Sequence, residues 1–234
     1  MEAREIIAEL RSMGNPVARE EMSRFGIVTG RALGVSMPVL RNLAKNVGRN
    51  HLLAEELWKS GIHEARILAA MVDEPSAVTE RQMENWVADF DSWDICDGCC
   101  GSLFDKTPFA YAKALEWSER GEEFVKRAGY VLMAELAVHD KWASDADFLG
   151  FFPAILKGSS DGRNFVKKAV NWALRQIGKR NRKLNREAVK LAGRIARLES
   201  SSARWVAADA KRELLSDQVR KRLGISQRAS GSSS

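Results

Sequence analysis

The chain has 234 residues, 45% hydrophobic and 29% charged, with 37 Lys plus Arg against 31 Asp plus Glu for a net charge of +6. That is ordinary globular composition with enough chain to bury a sizeable core. No run approaches the roughly 20 consecutive apolar residues of a membrane span, and the charged start Met1-Glu2-Ala3-Arg4-Glu5 leads into no apolar signal core, so a cytoplasmic location is the expectation.

In chain order, Ile6, Ile7 and Leu10 sit at helical spacing in residues 1–12, and Gly14-Asn15-Pro16 breaks that helix. A second helix runs from Ala18 to about Phe25, and Gly30 to Met37 reads as a loop. Pro38 opens the next helix at a favoured first-turn position; Leu40, Leu43, Ala44 and Val47 form its apolar face, and Gly48 ends it. Further helices are predicted over 51–59, 61–72, 79–90, 92–104, 108–119, 121–138, 145–157, 161–177, 184–197 and 202–214. No sustained alternation argues for strands.

Val125-Lys126-Arg127-Ala128-Gly129-Tyr130-Val131-Leu132 resembles Val166-Lys167-Lys168-Ala169-Val170-Asn171-Trp172-Ala173, 41 residues later. Weaker copies begin at His63 and Arg204. A recurrence near 40 residues with paired helices fits HEAT or armadillo repeats, so the fold class is read as an all-α, HEAT-like helical-repeat solenoid. If the second helices line its concave side, the basic first turns with Lys126 and Arg127, and with Lys167 and Lys168, form a basic groove faced by helix N-termini. One domain is read over 1–222, with 223–234 as a short tail expected to be disordered, on the low complexity of Ala229-Ser230-Gly231-Ser232-Ser233-Ser234.

Charge is unevenly spread. Residues 163–222 hold 18 basic and five acidic side chains, a net +13 that leaves the remainder near −7. Such asymmetry points to a polyanion, nucleic acid first, or to a solvated basic surface. Cys96, Cys99 and Cys100 include a C-x-x-C spacing, but there is no second pair and His51, His63 and His139 lie far away. No metal site and no cofactor are expected; the bland reading is three small apolar residues on a packed helix. Trp58, Trp86, Trp117, Trp142 and Trp205 are expected to pack between repeats, His139 to serve a helix end, and Lys179, Arg180, Arg182 and Lys183 to form a loop cluster, solvated or phosphate-bound.

The most informative run is Asp91-Ser92-Trp93-Asp94-Ile95-Cys96-Asp97. With Ser92 as N-cap, Trp93 and Asp97 stand at i and i+4 on one helix face. An aromatic plane beside a carboxylate suits a cationic ligand. The alternative is a core tryptophan with Asp97 bonded to nearby backbone.

Ser92-Trp93-Asp94-Ile95-Cys96-Asp97 resembles the tryptophan-aspartate motif of the bacterial AlkD-type DNA alkylation repair glycosylases. Phe165 to Arg175 is similar to that family's later repeat with a second active-site tryptophan. Phe124-Val125-Lys126-Arg127-Ala128 resembles the repeat that supplies an arginine, and Gly34-Val35-Ser36-Met37-Pro38-Val39-Leu40-Arg41 the early loop-to-helix DNA contact. The four runs occur in the family's order over roughly residues 20 to 215.

The resemblance implies Trp93, Asp97, Arg127 and Trp172 as the active-site set. It implies DNA contacts at Phe25, Ser36, Pro38, Arg41, Lys167, Lys168 and Arg175. Phe25 stands where the family commonly has tyrosine, a difference that bears on one phosphate hydrogen bond implied by the resemblance and not on the activity. The implied substrate is duplex DNA carrying cationic purines of the 3-methyladenine and 7-methylguanine class, attacked by a monomer acting at the nucleoid. Alkylation makes the base a good leaving group. The enzyme then needs only to stabilise the sugar oxocarbenium, a task for Asp97 and the faces of Trp93 and Trp172, while Arg127 holds a phosphate. The family is known for leaving the lesion stacked rather than flipped, and no lysine nucleophile is implied. Two other functions stay open: a non-catalytic solenoid recognising damaged or branched DNA, and a protein-binding HEAT scaffold.

Overall fold

The computed structural model of the protein describes residues 2–225, and among them every regular element is a helix. In the first stretch, α1 (Ala3–Ser12) opens on a capping box between Glu2 and Glu5 and buries Ile6 and Leu10. Asn15 accepts the N–H groups of Val17 and Ala18 to start α2 (Pro16–Ser23). Pro38 lies in the first turn of α3 (Met37–Val47), and Gly48, at φ +73°, ends it. Then come α4 (His51–Lys59), α5 (His63–Val72), α6 (Glu80–Ala88), α7 (Trp93–Ser102), a 3-10 turn (Phe104–Lys106), α8 (Ala110–Ser118) and α9 (Glu123–His139). The later helices are α10 (Asp145–Gly150), α11 (Phe152–Gly158), α12 (Asn164–Gly178), α13 (Arg182–Ile195), α14 (Ser201–Leu214) and α15 (Asp217–Arg222).

The chain divides into two compact units, one up to Leu132 and one from Met133, with the division inside α9. In the first unit α5 packs against α3, α4 and α7. Its core carries an aromatic run in which Trp58 and Trp86 stack at 4.0 Å, continuing through Phe104 to Trp117. Gly129 lets α9 close on α8 there: a Cβ would lie 2.5 Å from the Ser118 backbone nitrogen. In the second unit α12 packs against α11, α13 and α14, over a core that includes Phe148, Ile155, Val170, Ile177 and Ile195.

Three details differ from the sequence reading. The single helix expected over 145–157 is two, α10 and α11, because Pro153 has no N–H to donate back to Leu149 and takes instead the first turn of a new helix. A further helix, α15, follows its own cap at Ser216. Trp58, Trp86 and Trp117 are buried as expected, but Trp142 is 97% exposed and Trp205 42%. The repeat length also changes along the chain. Hydrogen bonds between neighbouring repeats join residues 28 to 33 apart in the first unit, as in Cys96–Phe124, Asp97–Arg127 and Trp117–Glu84, and residues 34, 38 and 41 apart in the second, in Lys179–Glu213, Arg175–Glu213 and Ser202–Asp161. The 41-residue recurrence spans the stretch that holds the extra short helices α10 and α11. From residue 226 onward, the expected tail lies outside the described residues.

Candidate functional site

Helix α7 starts at Trp93, so the indole and Asp97 share one face one turn apart. Ser92 holds the N-cap position, although its hydroxyl makes no capping bond. The Trp93 ring is half-buried, and its Nε1–H donates to the carbonyl of Phe25 at 3.0 Å. Phe25 is thus tied to the site through its backbone, with its ring 69% exposed.

Asp97 receives a parallel pair of hydrogen bonds from Arg127 on α9, Nε to Oδ1 at 2.9 Å and Nη2 to Oδ2 at 2.7 Å. This is the fork geometry in which arginine fixes a carboxylate plane most firmly. The burial is unequal: the Arg127 side chain is 7% exposed and the Asp97 side chain 21%. The carboxylate is therefore the more exposed partner of the pair. Desolvation by burial pushes the Asp97 carboxyl above its ordinary value, the Arg127 charge pulls the other way, and Asp94 adds to the push. The phosphate role implied for Arg127 meets a guanidinium committed to Asp97.

A second acid on α7, Asp94, precedes Asp97 by three residues and has its own partner. Asp94 pairs with His63 at the start of α5, Nε2 to Oδ2 at 2.8 Å. Burial alone would lower the His63 pKa, but the Asp94 hydrogen bond and charge raise it above 6.5. Burial would raise Asp94, yet His63 and the Ile95 N–H hold it below its ordinary value. Next to His63, the buried Glu64 accepts the N–H groups of Leu33, Gly34 and Val35. Gly34 takes φ +80°, and a Cβ there would lie 2.2 Å from the Asn15 carbonyl oxygen, so only glycine fits this approach. The loop anchored in this way delivers Ser36, Met37 and Pro38 to the first turn of α3. Trp93, Asp94, His63 and Ser36 border a largely apolar cavity of about 300 Å³.

The first unit therefore brings Trp93, Asp97, Arg127 and the Phe25 backbone together. Ser36, Pro38 and Arg41 are exposed at the start of α3, Ser36 with no capping bond to spend its hydroxyl on. In the second unit Trp172 is half-buried on α12. Lys168 is exposed, Lys167 lies 5.0 Å over the Trp205 ring, and Arg175 pairs with Glu213 and, at 3.8 Å, with Asp209. Cys96, Cys99 and Cys100 are buried free thiols, and no group of His, Cys, Asp and Glu among the described residues is arranged to hold a metal.

The family model for DNA alkylation repair enzymes matches residues 6–212. The chain belongs to this family. A solved structure described as a new family of proteins related to the HEAT-like repeat DNA glycosylases, with affinity for branched DNA structures, superposes with a TM-score of 0.77 at 19% identity, covering 97% of this chain and 98% of its own. That likeness establishes an all-α helical-repeat fold. A designed armadillo repeat protein solved with a (KR)4 peptide matches more distantly, with a TM-score of 0.40 at 14% identity over 79% of this chain and 78% of its own. No curated protein matches in sequence.

Within this DNA alkylation repair chain, sequence reasoning passed over His63, Glu64 and Asp94. A signal for two of them was present. Helix α5 is apolar on nearly every side, so ionisable residues in it have to be buried and partnered.

Proposed function

We propose that this protein is a monofunctional DNA glycosylase that hydrolyses the N-glycosidic bond of cationic alkylated purines in duplex DNA, leaving the lesion stacked. The observation that carries the reading is a carboxylate, Asp97, held by a two-pronged and more deeply buried arginine, on the helix face that also carries Trp93. A fixed negative charge at a surface needs no reorganisation when positive charge develops opposite it, which is how preorganised groups lower a barrier. As the bond to an N7- or N3-alkylated purine stretches, the electron pair leaves with the base, which thereby becomes neutral. The sugar carries the positive charge. Asp97 stabilises that charge and orients water for attack at the anomeric carbon, and the Trp93 face adds cation–π attraction.

Arg127 acts in this scheme as a positioning residue, since its N–H groups fix the Asp97 plane. Trp172 joins the active set, and Lys167, Lys168 and Arg175 the DNA contacts, on the strength of the family motif. Ser36, Pro38, Arg41 and Phe25 are proposed to line the backbone contact of the first unit, where their exposure leaves them accessible. A basic DNA-binding surface, a monomeric state and one functional domain over 1–222 belong to the same reading.

The test is release of 7-methylguanine from a duplex carrying one such lesion, under single turnover. Release by wild-type protein supports the proposal. A chain that binds the duplex and never releases base replaces it with the second reading, a non-catalytic binder of the kind described for the structural neighbour with affinity for branched DNA.

A further inference from the structure

One large aromatic is left almost wholly in solvent by the described residues. Trp142 follows α9, is 97% exposed, and its indole has no ring or hydrogen-bonding partner among the described residues. Leaving an indole in water forgoes the burial that the other large aromatics of the core obtain. The turn that presents it is firmly held: Asp140 accepts the N–H groups of Trp142 and Ala143, both at 3.0 Å, and a capping box between Ser144 and Asp147 opens α10 directly afterwards.

Beside this turn, within the second unit, lies a predominantly polar pocket of about 550 Å³ whose lining includes Lys141, Lys179, Arg180 and Arg222. Two carboxylates oppose these cations. Glu213 holds Lys179 at 2.6 Å, and Asp145 is engaged by Asn181 at 2.6 Å and Lys183 at 3.4 Å. Among the described residues Arg180 and Arg222 meet no carboxylate: they donate to the carbonyls of Ala137 and Lys179, and Arg180 also stacks 4.0 Å over Phe148. Lys141 donates to the Val138 carbonyl. A positive balance therefore remains at the pocket wall.

We infer that Trp142 and this pocket form a second nucleic-acid site, one that takes an unpaired nucleotide of DNA, with the base stacked on Trp142 and the phosphate against Lys141, Arg180 and Arg222. An indole face and a cationic wall are the two elements that single-strand binding sites combine. In a duplex the base faces are already covered by their neighbours, so the indole selects unpaired bases. The site is independent of the chemistry assigned to Asp97.

The full chain is titrated with a labelled oligothymidylate of about ten nucleotides, within the usual single-strand site size, and with a blunt duplex. Trp142→Ala is expected to weaken oligothymidylate binding about tenfold, as loss of one stacked base does. Trp142→Phe keeps a stacking face and should stay within about threefold. Both variants should bind the blunt duplex, release 7-methylguanine from it and melt as the wild type does, because the indole supports no core contact. Oligothymidylate should quench part of the wild-type tryptophan fluorescence, and that part should vanish in Trp142→Phe. Unchanged oligothymidylate binding by Trp142→Ala overturns the site. So does an equal loss on duplex and single strand, or quenching that survives in Trp142→Phe.

Discussion

Arg127 in the first unit and Arg175 in the second both read, from the sequence, as groups that hold phosphate, and both rest on carboxylates. The two settings differ in depth and purpose. Arg127 is buried at 7% exposure and grips the Asp97 carboxylate with two parallel hydrogen bonds. Arg175 is 27% exposed and shares Glu213 with Lys179, with Asp209 close by. A buried pair costs desolvation and yields placement, whereas a half-exposed network mostly offsets local charge. The contrast shows why a count of +13 over residues 163–222 does not translate into thirteen free positive charges.

The sharpest way to break this contrast is Asp97→Asn. Under the proposed chemistry it lowers single-turnover base release about 10²–10³-fold, the cost of removing one preorganised electrostatic group. A folded Asp97→Asn protein with wild-type release would end the catalytic assignment. The same assignment sets the acid limb of the wild-type pH profile. The folded-state pKa of Asp97 is raised, so its charge is lost as pH falls through that raised value, and release should decline at a pH above the ordinary carboxylate value of 3.8. The limb should be absent from whatever activity Asp97→Asn retains.

Stability separates the two arginines next. Arg127→Ala leaves a desolvated carboxylate without its cation and should cost about 3 kcal/mol in urea unfolding. Arg175→Ala, in its half-exposed network, should cost about 1 kcal/mol or less. Equal costs would mean that the two settings are energetically alike. Arg127→Lys restores the charge but not the fork, and should recover stability more fully than release.

The smallest effect is on salt dependence. Arg41 is exposed and makes no ion pair among the described residues, so Arg41→Ala should flatten the slope of log affinity against log salt by about one contact's worth. Arg175→Ala should flatten it less, because Glu213 and Asp209 already offset its charge. A larger change from Arg175 than from Arg41 would show that the network opens on DNA.

What the sequence determined by itself is what lies within a few residues. Helix extents follow from apolar spacing, caps and the Pro and Gly breaks, and the shared face of Trp93 and Asp97 follows from a four-residue separation. The family motifs were legible in order, and with them Trp93, Asp97 and Arg127, whereas the buried partners His63, Glu64 and Asp94 were not. Only the tertiary structure decided what each charge meets. Asp97 finds Arg127 from 30 residues away, Asp94 finds His63 from 31, Glu64 caps a loop 31 residues back, and Arg175 reaches Glu213 across 38. These partners depend on how the helices pack, and the separations differ from pair to pair, from 30 residues for Asp97–Arg127 to 38 for Arg175–Glu213. Ion pairing acts over a few ångströms, so a charge's partner is set by where helix packing leaves it, a distance the linear order does not contain.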